Sequence, residues 1–328
     1  MNNSKFNRAL DLCVAATLLA GCGAPQAALV APGSTPLQAR MPSNWTATVA
    51  PGLRPALQNL GYKATAPLLY ATNLGLEDIT VYRASAKDPA PLATITDDLN
   101  IPYGACLDGQ GTLYVTNEPP SGGWVSEYPL GKTKPSRIIT AGMNGPSYCA
   151  IDAKGNLWVT NYGGSNVTEY LADSKKPHAV ITRGLTSPVG IAFDPSGNLY
   201  VGNFASFSEN VVVYAPGSKS PSRTITDGVT SPRGLAVDAN GTLYVTNLSQ
   251  NNVAEYRSGQ SDPFQTVTAA MDHPEGVTVD RKGTLYVSNI GNSTVVEFAA
   301  GSLKPLKREI SKGLGEPNGI AYYPALLP

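Results

Sequence analysis

Apolar positions in this chain come in short β-branched and aromatic runs with turn residues between them. Beyond the N-terminal leader, no window sustains a helical period. The pentad Leu-Tyr-Val-Thr-Asn recurs at Leu69–Asn73 (Ala71 for Val), Leu113–Asn117, Leu157–Asn161 (Trp158 for Tyr), Leu199–Asn203 (Gly202 for Thr), Leu243–Asn247 and Leu285–Asn289 (Ser288 for Thr). The closing asparagines are 44, 44, 42, 44 and 42 residues apart. A fixed step in the low forties marks one supersecondary unit repeated radially or in a stack.

A second anchor precedes each pentad. Pro-x-Gly opens an apolar run that ends in Asp at Pro102 to Asp108, Pro188 to Asp194, Pro232 to Asp238 and Pro274 to Asp280. Pro146 to Asp152 has Tyr148 in place of the glycine, and the last copy runs from Pro317 to Tyr322-Tyr323. Between run and pentad, Gly111, Gly155, Gly197, Gly241 and Gly283 follow polar residues, which reads as a hairpin loop. The expected third strands are Ile79–Tyr82, Val125–Tyr128, Val167–Tyr170, Val211–Tyr214, Val253–Tyr256 and Val295–Phe298. The expected fourth strands are Leu92–Thr96, Arg137–Thr140, Ala179–Thr182, Arg223–Thr226, Gln265–Thr268 and Arg308–Ser311.

Four short strands per unit predict an all-β, six-bladed β-propeller with four-stranded blades. The copies are out of phase, because the chain begins on a second strand and ends on a first. The C-terminal inner strand must therefore join the N-terminal strands, which closes the ring and leaves no open edge.

These motifs resemble the YVTN family of bacterial and archaeal β-propellers and the NHL repeat, and more loosely the gluconolactonase and regucalcin-like propellers. The resemblance covers residues 67–323. It implies the propeller, and it implies function only broadly, since such families include enzymes, binders and surface proteins. NHL repeats usually carry Asp and then Asn-x-Arg after the second strand. Here Asn stands for the Asp, and the Arg is missing from frames such as Asn251-Asn252-Val253.

The N-terminus predicts a secretory signal over residues 1–21, with Lys5 and Arg8 before the apolar run Leu10–Ala20. The run is too short for a stable membrane span. Leu19-Ala20-Gly21-Cys22 resembles the bacterial lipobox, which implies lipidation of Cys22 and an extracytoplasmic address at a membrane, the outer one in a Gram-negative cell. Residues 22–66 are rich in Ala and Pro and predict a tether, with a reach of roughly 35 Å for about 40 flexible residues. The propeller takes residues 67–328.

The 24 basic and 24 acidic residues balance, and no basic cluster or stripe supports nucleic-acid binding. Beyond the leader and Cys22, two cysteines remain. Cys106 and Cys149 lie on inner strands of neighbouring blades, one position apart in the repeat. They are candidates for a disulfide in an oxidising compartment, the alternative being two small buried thiols.

The fourth-to-first and second-to-third loops of a propeller share one face around the channel mouth. The middle residues of the Pro-x-Gly anchors belong there: Tyr103, Ser147, Val189, Arg233, Glu275 and Asn318. They are the least repeated positions of the frame, and divergence at a shared mouth predicts a ligand site. Arg233 and Glu275 sit on adjacent blades and suit an ion pair. The repeated asparagines and the repeated first-strand aspartates read as turn caps.

No catalytic residue and no metal site is predicted. Only His178 and His273 exist, too few for zinc-binding NHL-type lyases. The gluconolactonase-like resemblance implies Ca²⁺ on Glu, Asn and Asp oxygens. Glu275 and Asn318 imitate that set in part, but a second carboxylate is not evident at the mouth. The expectation is a lipid-anchored envelope module that binds a polar ligand, a glycan or an envelope protein at its mouth. The alternative is a metal-dependent lactonase- or lyase-like enzyme.

Overall fold

The computed structural model of the 328-residue protein describes residues 67–325, except 85 and 206–208. The signal, Cys22 and the tether lie outside the described residues.

The described chain forms six antiparallel sheets from segments rich in Val, Ile, Tyr and Thr, whose second strands are buried at nearly every position. The first strands are β1 (Leu68–Asn73), β2 (Asp78–Arg83) and β3 (Ala93–Ile95). Blade 1 is β4 (Pro102–Leu107), β5 (Leu113–Asn117), β6 (Trp124–Tyr128) and β7 (Arg137–Ile139). Blade 2 is β8 (Pro146–Ile151), β9 (Leu157–Asn161), β10 (Asn166–Tyr170) and β11 (Ala179–Ile181). Blade 3 is β12 (Pro188–Phe193), β13 (Leu199–Asn203), β14 (Asn210–Tyr214) and β15 (Arg223–Ile225). Blade 4 is β16 (Pro232–Val237), β17 (Leu243–Asn247), β18 (Asn252–Tyr256) and β19 (Gln265–Val267). Blade 5 is β20 (Pro274–Val279), β21 (Leu285–Asn289) and β22 (Thr294–Phe298). The last strand, β23 (Pro317–Tyr323), pairs with β1 and completes the sixth sheet in the order β23-β1-β2-β3. The ring is thus closed by the two ends of the propeller sequence.

One expected strand is largely missing. In place of Arg308–Ser311, blade 5 has a single bridge between Val295 and Ile310, held by two 2.9 Å hydrogen bonds. A second isolated bridge joins Phe298 to Pro305. Pro305 to Ile310 is one residue longer than the equivalent Pro135 to Ile139, Pro221 to Ile225 and Pro263 to Val267, which form regular strands, and the extra residue breaks the ladder.

The repeated residues have architectural roles. Each first-strand Asp caps its hairpin: Asp238 Oδ1, for example, accepts from the amides of Asn240 and Thr242 at 2.8 Å. The third-strand tyrosines are buried, and their hydroxyls donate to a neighbouring blade, as from Tyr128 to the Asp97 carbonyl and from Tyr256 to the Asp227 carbonyl. Buried side chains from facing sheets fill the space between blades, such as Val245 and Leu235 of blade 4 against Val213 and Tyr200 of blade 3.

The pentad Thr bonds one blade to the next. Thr246 Oγ1 accepts from the Gly234 amide at 2.8 Å and donates to the Glu275 carbonyl at 2.7 Å. Close approach explains the anchor glycine, since a Cβ on Gly234 would lie 2.7 Å from that same carbonyl. Each inner strand also shifts register just after its proline. Pro232 faces Asn247, but Leu235 faces Val245, which leaves Arg233 and Gly234 opposite Thr246 alone. Such a bulge re-aims a side chain, and here it affects the middle residue of every anchor.

Candidate binding site at the channel mouth

The six inner strands place their anchor residues at one end of the channel. The residue before each anchor proline holds a left-handed backbone: Ile101 (φ 52°), Gly145 (61°), Ser187 (47°), Ser231 (48°), His273 (54°) and Glu316 (52°). This conformation is rare for a β-branched residue such as Ile101. Its carbonyl accepts from the residue after the pentad Asn, as in Glu118 to Ile101 at 3.1 Å and Phe204 to Ser187 at 3.1 Å. The pentad Asn completes the corner. Asn247 Oδ1 accepts from the Thr230 amide at 2.8 Å, and its Nδ2 donates to the Gly228 carbonyl and to Asn252 Oδ1, both at 2.8 Å. The two loop sets therefore lie together on the mouth face, and the asparagines are occupied in holding them.

Of the six predicted site residues, Ser147, Val189, Arg233, Glu275 and Asn318 are buried, and Tyr103 is half-buried. They form the floor of the mouth below its rim. Three of them converge. Tyr103 OH donates to Glu275 Oε1 at 2.6 Å, and Arg233 Nε lies 3.5 Å from Glu275 Oε2. The Arg233 side chain also reaches Tyr103 OH at 3.5 Å, and its guanidinium stacks on the Phe204 ring with 3.9 Å to the centroid. With Arg233 only 4% exposed and Glu275 2%, this is a desolvated pair, which needs further partners to be tolerated. Tyr103 and Phe204 serve as those partners. Ser147 and Val189 contribute their carbonyls to Thr116 and Thr160, and no group on their side chains joins the charged cluster.

Sequence reasoning missed two members. The structure supplies the second carboxylate that was not evident at the mouth: Glu118, half-buried, within electrostatic reach of Arg233 and Glu275. Burial pushes its carboxyl up to about 7, against the pull of Arg233 and with a further push from Glu275. A signal was there to be read. The equivalent positions after the pentad Asn hold Leu74, Tyr162, Phe204, Leu248 and Ile290, so a lone acid interrupts an apolar collar. The second is Tyr148, the phenol standing where other anchors have glycine. Its ring meets Tyr103 edge-on at 5.5 Å between centroids. Burial first, then Glu275, holds its hydroxyl well above the usual phenol range, opposed by Arg233.

Two buried polar groups of this floor, Tyr148 OH and Asn318 Nδ2, have no hydrogen-bond partner. Such orphans are uncommon and call for an explanation. His273 stands near the rim and pairs with Asp272 at 2.9 Å. Among the described residues, no three His, Cys, Asp or Glu side chains gather as a metal-ligand group.

The opposite end of the channel differs. A cavity of about 130 Å³ is lined there by Leu107, Ile151, Phe193, Val237, Val279 and Tyr322, among others. Cys106 and Cys149 also line it and are joined by a disulfide, with Cα atoms 5.7 Å apart. The bond links β4 to β8 across the blade 1–blade 2 interface.

No family model and no curated protein sequence matches the chain. Solved structures do match its fold. A chain of the nidogen/laminin complex aligns over 78% of this chain and 98% of its own length, with a TM-score of 0.67 and 19% identity. A protein of unknown function from Bacteroides caccae covers 79% and 99%, with a TM-score of 0.63 and 15% identity. Hydrazine synthase from Kuenenia stuttgartiensis covers 70% and 72%, with a TM-score of 0.54 and 16% identity. At these identities the similarity shows a β-propeller and nothing about activity.

Proposed function

We propose that this propeller is a binding module of the cell envelope, held at a membrane by lipid on Cys22, which takes a polar ligand, a glycan or an envelope protein at its channel mouth. One observation carries the reading. The repeated side chains hold turns and blade interfaces, whereas the charged cluster of Tyr103, Arg233, Glu275 and Glu118 comes wholly from positions that the repeat leaves variable. Ligand sites pair an apolar surround with a few convergent polar groups, which matches an apolar collar around this floor.

A thermal-shift screen of the full chain against polar metabolites and glycans tests it. The expected result is a stabilising compound whose effect is lost in Tyr103→Phe. Stabilisation that Tyr103→Phe leaves intact would move the site elsewhere. Labelling with radioactive palmitate tests the anchor, and label retained in Cys22→Ala would sink it.

A cation-dependent hydrolase is the second reading, and Glu118 favours it by supplying the extra carboxylate. The Arg233 guanidinium weighs against it, because it holds positive charge beside Glu275. A Ca²⁺ titration that raises the melting temperature of the wild type but not of Glu118→Leu would put this reading first.

A further inference from the structure

We propose that the face opposite the mouth is a docking surface for an anionic lipid membrane, an inference that deepens the membrane address proposed above. The 24 basic and 24 acidic residues cancel over the chain, but the ring separates them. Each of the six third-to-fourth loops carries an exposed Lys or Arg: Lys87, Lys132, Lys175, Lys219, Arg257 and Lys304. The first-to-second loops add Lys154, Arg281 and Lys282, all exposed. These cations are scattered in the sequence, and the fold gathers them, because the two loop sets share one face. A Cβ on Gly241 would lie 2.9 Å from Ser258 Oγ, and one on Gly283 would lie 3.0 Å from the Ala300 Cβ. Among the described residues, the exposed acids of these loops are Asp173 and Asp262, since the hairpin aspartates turn their carboxylates onto backbone amides. The mouth loops are the reverse, with Glu77, Asp98, Glu118, Glu209, Asp272 and Glu316. Lys and Arg enter those loops at Arg183 and Lys312, which bond away from the mouth, to Ser220 and Asp88 of third-to-fourth loops.

A basic face attracts any polyanion, and two further observations select a lipid surface. First, the same loops expose apolar side chains beside the cations: Leu171 is 42% exposed, Phe264 40% and Leu303 51%. Leu303 adjoins Lys304 in sequence, and the Arg257 guanidinium stacks on the Phe264 ring, 4.2 Å from its centroid. Large apolar groups at loop tips gain nothing from a phosphate backbone. Beside Lys and Arg they suit the boundary between anionic headgroups and acyl chains. Second, the chain joins the propeller on this face. The Pro67 carbonyl, just before β1, accepts from the Ala84 amide at 3.2 Å, at the start of a third-to-fourth loop. Leu68 pairs with Tyr323, and a Cβ on Gly111 of a first-to-second loop would lie 2.8 Å from the Tyr323 ring. A lipid on Cys22 is therefore tied to the basic face, and docking of that face turns the acidic mouth away from the membrane.

Vesicle co-sedimentation tests the inference on the full chain carrying Cys22→Ala, so that acylation plays no part. The probes are vesicles of phosphatidylcholine alone and vesicles of equal parts phosphatidylcholine and phosphatidylglycerol, with a DNA duplex measured beside them by fluorescence anisotropy. The expected result is binding to the mixed vesicles and little to the neutral ones. Lys132→Gln, Lys175→Gln and Lys304→Gln together should weaken that binding about a hundredfold. Leu171→Ser with Leu303→Ser should weaken it about tenfold. Pro120→Glu, Ser121→Glu and Gln250→Glu together change the net charge equally but in mouth loops, and should leave it unchanged. All of these side chains are exposed, so the variants should fold. No binding, equal binding to both vesicle types, or an equal loss in the mouth-loop variant would overturn the docking face. Binding to the duplex as tight as to the mixed vesicles, with no effect of the Leu substitutions, would overturn the lipid assignment. Because Cys22→Ala removes the acylation site, either failure leaves the anchor standing, and the palmitate labelling tests that separately.

Discussion

Tyr103 and Glu275 meet across the channel from inner strands two places apart in the ring, and the phenol donates a 2.6 Å hydrogen bond to the carboxylate. Glu275 is therefore held from two sides, by Tyr103 and by Arg233.

Removing one holder should be costly. Arg233→Met leaves Glu275 buried with the phenol as its remaining partner in the cluster, and breaking a buried pair in this way costs about 3–5 kcal/mol. The double variant Arg233→Met, Glu275→Leu should lose less than Arg233→Met alone, because no charge is stranded. Urea denaturation of the wild type, Arg233→Met, Glu275→Leu and the double variant measures the difference. A double variant at least as unstable as the sum of its single changes would mean the two residues act independently.

Ring closure rests on β23. Deleting residues 317–328 exposes the whole edge of β1, and an unpaired strand edge invites association with other chains. The truncated protein should lose the cooperative melt of the full chain and elute as soluble aggregates in size-exclusion chromatography. A monomer that melts like the intact chain would contradict the closure.

The Cys106–Cys149 bond spans 43 residues of sequence. Loop-closure entropy puts its contribution at about 4 kcal/mol. Cys106→Ser, Cys149→Ser should lower the denaturation midpoint by a corresponding amount. The same loss should follow when the wild type is treated with dithiothreitol. An unchanged midpoint in both would show that the link does not constrain the unfolded chain.

Glu297 makes stability depend on pH. Its side chain is fully buried, neither oxygen makes a well-directed hydrogen bond, and Arg308 approaches to 3.1 Å. Burial raises its carboxyl from 4.5 to about 7, opposed by Arg308 and reinforced by Asp280. The folded protein thus holds a proton that the unfolded chain releases above about pH 4.5. This stabilisation is present in full below that pH and is lost as the pH rises through 7. The change is on the order of 3 kcal/mol at most. Unfolding free energies between pH 4.5 and 8 should fall in the wild type and flatten in Glu297→Gln. Equal slopes in both would assign the proton elsewhere, Glu118 being the next candidate by the same sign.

The four-strand unit, its phase and the face that gathers the anchor residues were all legible in the chain, because each rests on local chemistry. Proline and glycine set the turns, Asp and Asn cap them, and short runs of β-branched and aromatic residues form strands whatever lies beyond. The same regularity singled out Tyr103, Arg233, Glu275 and Asn318 by their departure from it. Glu118 departs as clearly, but it follows the pentad, and only the fold brings that loop beside the anchors of other blades. Tyr148 was visible as a missing glycine, with nothing local to say that its phenol would be buried against Tyr103. Blade 5 lost its fourth strand because its outer segment carries one residue more than the others between Pro305 and Ile310, and an outer strand with a single neighbour has no second partner to hold the register. What only the tertiary structure decided is which side chains meet across the channel. Those contacts join residues up to 172 positions apart in sequence, and they follow from ring closure, which no single repeat encodes.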